Sequence, residues 1–199
     1  RPPGLWQRLR TALWRNRLMG PLRNAVGRRH AKWMGGLLEA FERGDIEEAL
    51  RRAIPLGGEA SGANLAPPFG APTPRTGRLE PSMFPTMSSG GGLGVGVGLY
   101  EHLRQLYRRS AEQLEAQGRI AQAAFVLADL LNAVDEAVAL LERHGELALA
   151  AKIAEGRGLP PERVVRQWFL AGDAERALVI ARRHGAFAAA IAALAEDHP

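Results

Sequence analysis

Residues 118–157 read GRIAQAAFVLADLLNAVDEAVALLERHGELALAAKIAEGR, and residues 158–197 read GLPPERVVRQWFLAGDAERALVIARRHGAFAAAIAALAED. The second stretch follows the first at a 40-residue spacing without a gap. Glu142-Arg143-His144-Gly145 answers to Arg182-Arg183-His184-Gly185, and Asp135-Glu136-Ala137-Val138 to Glu175-Arg176-Ala177-Leu178. Gly118, Asn132 and Gly145 divide the first stretch into three short pieces, as Gly158, Gly172 and Gly185 divide the second. A period of this size is a repeat-protein signature. The glycines suit helix ends, where left-handed backbone is needed, and Pro160 and Pro161 suit a helix start. Ala123, Ala137, Ala150, Ala177 and Ala190 stand at matched places where helices can approach closely, with Leu127, Leu140, Ile153, Phe169, Ile180 and Leu194 filling the space between layers. Isolated helices shorter than about 12–15 residues are marginal in water, so such pieces must stack. The expectation is an all-α protein whose C-terminal half is a right-handed or curved α-solenoid, preceded by a helical N-terminal segment.

Working outward, Leu99 to Ala116 carries Leu99, Leu103, Leu106, Tyr107, Ser110, Ala111 and Leu114 on one helical face, a long helix leading into the array. Before it, residues 55–98 are rich in glycine, proline and serine and show no sustained helical period, the composition of a flexible linker. Leu79, Met83, Phe84 and Met87 are apolar enough for a short piece of it to dock on a neighbouring groove; without one they should be mobile. Residues 1–54 form a basic segment with apolar residues at three- and four-residue steps, from Leu5 and Trp6 to Leu38 and Phe41, interrupted by Gly20-Pro21. A short helix from Asp45 to Ala53 closes it, and its GDIEEAL matches the later GDAERAL, so this segment is read as holding a divergent copy of the same helix pair. Three regions are thus expected: 1–54, the linker 55–98, and a solenoid over 99–199.

The net charge of +5 is unevenly spread, since residues 1–38 hold eight arginines and Lys32 with no acid. Trp6, Trp14 and Trp33 interleave with these arginines, so Trp6, Arg8, Arg10, Trp14, Arg15 and Arg17 are candidates for attachment to an anionic membrane surface or to a partner. Arginine far outnumbers lysine throughout, as the codon bias of a GC-rich genome would produce. Nucleic acid is disfavoured, because no helix-turn-helix, RNA-binding or zinc-finger pattern accompanies the charge. The chain has no cysteine, which excludes disulfides, thiolate nucleophiles and cysteine-held metals. No apolar run approaches the roughly 18–20 residues of a spanning helix. The chain opens at Arg1 rather than methionine and stops at Pro199 directly after a helix, so it reads as a fragment of a longer protein.

Reactive constellations are wanting. GGGLGVGVG at 90–98 offers no G-x-G-x-x-G register and no Gly-Lys-Ser/Thr, so it reads as linker rather than phosphate loop. His144 and His184 stand at equivalent places beside glycine and read as C-terminal helix residues rather than metal ligands. No serine sits in a nucleophile elbow, and paired acids such as Asp135-Glu136 occupy first turns of helices. No catalytic residue, cofactor or metal is expected.

FERGDIEEALRRAIPLGG (41–58), the glycine- and proline-rich spacer, and the stretch from LYRRSAEQLEAQG (106–118) through residue 187 together resemble the helical-repeat, β-propeller-associated component of bacterial ternary systems that also contain a MoxR-type AAA+ ATPase and a von Willebrand factor A protein. More loosely, the array is similar to tetratricopeptide and clathrin-type solenoids, although the 34-residue tetratricopeptide period and its Trp-Leu-Gly-Tyr pattern are absent. The resemblance implies a cytoplasmic, non-catalytic scaffold, at the inner face of the membrane if the basic helices attach there, with a propeller beyond Pro199 and with the AAA+ ATPase and von Willebrand factor A protein as partners. Arg104, Arg108, Arg143, Arg176 and Arg183 are then the candidate exposed contacts of the helical surface.

Overall fold

The structure is a computed structural model, and it describes residues 27–56, 74–84 and 97–197. Among these the chain is all-α, with nine α-helices, one π-helical segment and no strand. The helices are α1 (Gly27–Arg43), α2 (Ile46–Arg52), α3 (Val97–Ala116), α4 (Ile120–Phe125, continued by the π-helical Val126–Leu130), α5 (Val134–Arg143), α6 (Leu147–Gly156), α7 (Pro161–Leu170), α8 (Ala174–His184) and α9 (Phe187–Asp197). The part of the basic segment before Gly27, with its interruption at Gly20-Pro21, lies outside the described residues.

Two compact units make up the chain, one of residues 1–77 and 88–106, the other of 78–87 and 107–199. This differs from the three regions read from the sequence in two ways. The described linker residues 78–84 belong with the second unit, and the first ten residues of α3 do not. The physical reason is side-chain burial: Leu99 and Leu103 of α3 join a core with Met34, Leu37, Leu38 and Ala40 of α1 and Ala49 of α2.

In the first unit, α1 and α2 form a helix pair. The Trp33 indole donates to the Arg52 carbonyl at 3.1 Å, and the Arg52 guanidinium lies over the Trp33 ring. Residues 74–77 cover the C-terminal end of α2. Arg75 donates its main-chain N–H to the Arg51 carbonyl and its guanidinium to the Ala53 carbonyl, so a cation satisfies carbonyls left over at the negative end of a helix.

In the second unit one joint recurs. At Gly118 the glycine N–H bonds the carbonyl three residues back and the next residue's N–H bonds the one five back, a helix-terminating pattern found again at Gly145, Gly158 and Gly172. All six positions at which the sequence divides, Gly118, Asn132, Gly145, Gly158, Gly172 and Gly185, have positive φ. Asn132 is the one non-glycine among them, in keeping with asparagine's tolerance of the left-handed region. The residue after the glycine ends one helix and caps the next, which is why the links are so short: Arg119 caps α4, Glu146 caps α6 and Asp173 caps α8. Gly44-Asp45 in the first unit has the same joint. Asp45 accepts from the Glu48 N–H at 3.0 Å and Asp173 from the Arg176 N–H at 2.9 Å, so the matched sequences GDIEEAL and GDAERAL share one capping chemistry.

The longer 14-residue steps, from Gly118 and from Gly158, must each absorb one residue more than the 13-residue steps that hold α5 and α6. The two copies solve this differently. After Gly158 the extra residue goes into Leu159-Pro160, and α7 starts late at Pro161. After Gly118 the helix starts at once, and the excess is taken up by widening its last turn into the π-helical Val126–Leu130. That turn carries Asp129, which is buried.

Packing follows the small residues. Ala123, Ala137, Ala150 and Ala177 are completely buried and Ala190 is nearly so, while Leu127, Leu140 and Ile153 lie in the core. Phe169 and Ile180 are half-buried, and the Leu194 side chain lies outside the described ones.

Candidate functional site

Charged side chains tie α3 to α5, α5 to α7 and α6 to α8. Arg108 on α3 makes a two-pronged bond to Glu136 on α5 at 2.8 and 2.9 Å. Glu115 on α3 receives Arg143 and His144 from the end of α5, each at 2.9 Å. Arg166 on α7 forks onto Glu142 of α5 at 3.0 and 2.8 Å, and Arg163 pairs with Asp135. Arg176 on α8 grips Glu155 of α6 at 2.8 and 2.9 Å while its guanidinium stacks over Trp168, whose indole N–H also donates to Glu155. The carboxylates respond to these partners. The Arg176 hydrogen bond, helped by Trp168, holds Glu155 below the usual carboxylate range against the opposing effect of burial. Glu142 is lowered first by Arg166, and Glu115 first by His144 and then by Arg143.

This bracing leaves an open groove of about 710 Å³ along α6, α7 and α8. One wall is the Glu155–Arg176 pair, and the rest mixes the apolar Leu159, Val164 and Val179 with Arg183. Among the described residues, the large exposed apolar side chains fall in two places. Leu170, Val179, Phe187 and Ile191 are on the last three helices, with Val179, Phe187 and Ile191 each more than half exposed; Met83 and Phe84 are in the non-helical 74–84 segment. Phe187 and Ile191 are one turn apart on α9 and so share a face.

A second feature centres on Asp129 and Arg157. Their side chains are only 2 % and 4 % exposed and pair at 2.6 Å, and both reach residue 82 of the former linker. Asp129 accepts the Ser82 main-chain N–H at 3.0 Å, and the Arg157 Nε donates to the Ser82 carbonyl at 2.9 Å.

The five arginines singled out from the sequence are therefore not alike. Arg108, Arg143 and Arg176 are exposed or half-exposed, but each is engaged by a carboxylate of another helix. Arg104 lies on the first unit's part of α3 and approaches Glu101 one turn away at 3.9 Å. Arg183 lines the groove and has no ion-pair partner among the described residues. Trp6, Arg8, Arg10, Trp14, Arg15 and Arg17 lie outside the described residues. Sequence reasoning read His144 as a helix-end residue, which it is, though its ring also meets Glu115. It missed Asp129 and Arg157. The available signal was an acid, Asp129, inside the otherwise apolar AAFVLADLL, at the place where the second copy has Phe169.

Among the described residues, no group of acidic or histidine side chains could hold a metal ion, and no helix is long and apolar enough to cross a membrane. No protein-family model, curated protein or solved structure matches the chain.

Proposed function

We propose that this chain is a non-catalytic scaffold whose C-terminal helices form an α-solenoid that binds other proteins. The observation that carries the reading is the concentration of exposed apolar side chains, Leu170, Val179, Phe187 and Ile191, on the last three helices, with Val179 and Arg183 among the residues lining the groove. Apolar anchors with arginine nearby are the composition of an interface core, and aromatic and arginine residues carry most interface energy. Helix-to-helix ion pairs along the array favour a surface that keeps its shape when bound, which lowers the ordering cost of association. The most polar part of the groove, Glu155 with Arg176 and Trp168, is already mutually satisfied, which favours a binding wall over a reaction centre. By resemblance, the partners would be an AAA+ ATPase and a von Willebrand factor A protein in one bacterial assembly.

The test is retention of partner from a native lysate by the full chain and by its Phe187→Glu/Ile191→Glu variant. The expected result is a defined protein held through a high-salt wash by the parent chain and lost by the variant, with helical circular dichroism unchanged. Equal retention by both overturns the reading. Retention of lipid alone, lost in salt, would instead favour attachment through the basic segment at residues 1–38.

A further inference from the structure

Residues 78–84, RLEPSMF, carry no helix, yet they belong to the second unit and are held there as an extended strap. Their burial alternates: Leu79 and Pro81 are buried while Arg78 and Glu80 are exposed, the period of an extended chain with one side against a surface. The next residue is read through its backbone. Ser82 gives its N–H to one Asp129 oxygen and its carbonyl receives the Arg157 Nε, while the other Asp129 oxygen receives the Arg157 terminal nitrogen. A carboxylate and a guanidinium thus satisfy both polar main-chain groups of one residue, as a neighbouring strand would, and each bond is charge-assisted. Gly156, the last residue of α6, completes the contact. A Cβ there would collide with the Met83 carbonyl, so the close approach of strap to helix requires glycine.

We propose that Asp129, Gly156 and Arg157 form a peptide-binding site for an extended segment of the Leu-x-Pro-Ser type, and that the chain occupies it with its own residues 79–83 as a displaceable ligand. The site's parts are peculiar to this place in the array. Asp129 owes its position to the π-helical turn, and its 40-residue counterpart is Phe169, so the second copy lacks the carboxylate. The occupant has the character of a ligand rather than of a framework element. It adds no helix, its Ser82 hydroxyl turns back on its own Phe84 carbonyl, and Met83 and Phe84 beyond the clamp stay exposed. A tethered segment acts at an effective concentration on the order of millimolar, so a free peptide competes poorly until the tethered copy is disabled. The inference gives the proposed scaffold a specific ligand class, at a site separate from Phe187 and Ile191.

The experiment uses the full chain and a labelled synthetic peptide of residues 76–87, followed by fluorescence anisotropy. Leu79→Asp with Ser82→Pro removes an apolar anchor and the N–H that Asp129 receives, disabling the tethered copy while leaving Asp129, Gly156 and Arg157 in place. The peptide is expected to bind this variant at least about tenfold more tightly than the parent chain, and to lose that gain when Gly156→Val is added. No gain over the parent, with helical circular dichroism intact, overturns the proposal, as does equal binding of a scrambled peptide. If the variant does not fold, native-state hydrogen exchange on the parent chain decides. The Ser82 amide is expected to exchange at least about a hundredfold faster than the interior amides of α5, and equal protection would make the strap an integral part of the fold and overturn the proposal. Partner retention through Phe187 and Ile191 is read separately, so the scaffold reading and this one fail independently.

Discussion

Glu115, Glu142 and Glu155 are each held below their ordinary value near 4.5 by arginine or histidine from another helix. The unfolded chain therefore binds more protons than the folded one just below that value, and stability rises with pH there. The contribution of these groups is present above their unfolded pKa and is lost as pH falls through their folded values. The urea midpoint is expected to fall as pH drops from about 5 to 3, and the E115Q/E142Q/E155Q variant is expected to show a shallower fall. At the joints, Asp173 accepts the Arg176 N–H, so Asp173→Ala should cost about 0.5–2 kcal/mol, read as a lower urea midpoint at an unchanged slope. These caps were legible from Gly-Asp followed by a helical run. The interhelical partners of Glu142 and Glu155 were not, because residues 13 to 25 positions apart meet only once the helices have stacked.

At the scale of the element, the π-helical turn is where sequence and structure part most instructively. A 14-residue step announced one residue too many, but whether the excess would enter a loop or a helix depended on proline. Pro160 and Pro161 delay α7, whereas Arg119-Ile120 lets α4 start at once and forces the wider turn. That turn buries Asp129 against Arg157, and removing one partner strands the other. Arg157→Met is expected to cost about 3–5 kcal/mol in urea unfolding, and Asp129→Leu combined with Arg157→Met should recover most of it, because an apolar pair leaves no uncompensated charge. A double variant no more stable than Arg157→Met alone would place the importance of Arg157 in its bond to Ser82 rather than in the ion pair. The linker reading is refined by the same contacts: residues 74–77 lie on the end of α2 and 78–84 on the second unit, so part of a segment without helical period is nonetheless anchored.

For the whole molecule, the division falls within α3 rather than at its start, since Leu99 and Leu103 are buried in the first unit and Tyr107, Ala111 and Leu114 in the second. Each unit has its own core, so a single two-state transition should not describe the chain. Native-state hydrogen exchange at increasing denaturant is expected to separate the amides of α1 and α2 from those of α5, α6 and α7 into two groups with distinct opening energies. One common isotherm for all of them would show that the two cores unfold as one.

The sequence by itself determined the helices, their ends and their order. Those depend on local chemistry, on glycine or asparagine where φ must be positive, on aspartate at a cap, and on alanine and leucine at helical spacing, and each is written in a window of a few residues. Only the tertiary structure decided which arginines are engaged, that an acid in an apolar run is buried beside Arg157, that residues 78–84 join the second unit, and that α3 serves two cores. These depend on distances between residues far apart in the chain, and a burial pattern with a 3.6-residue period states that a face is covered without stating by what.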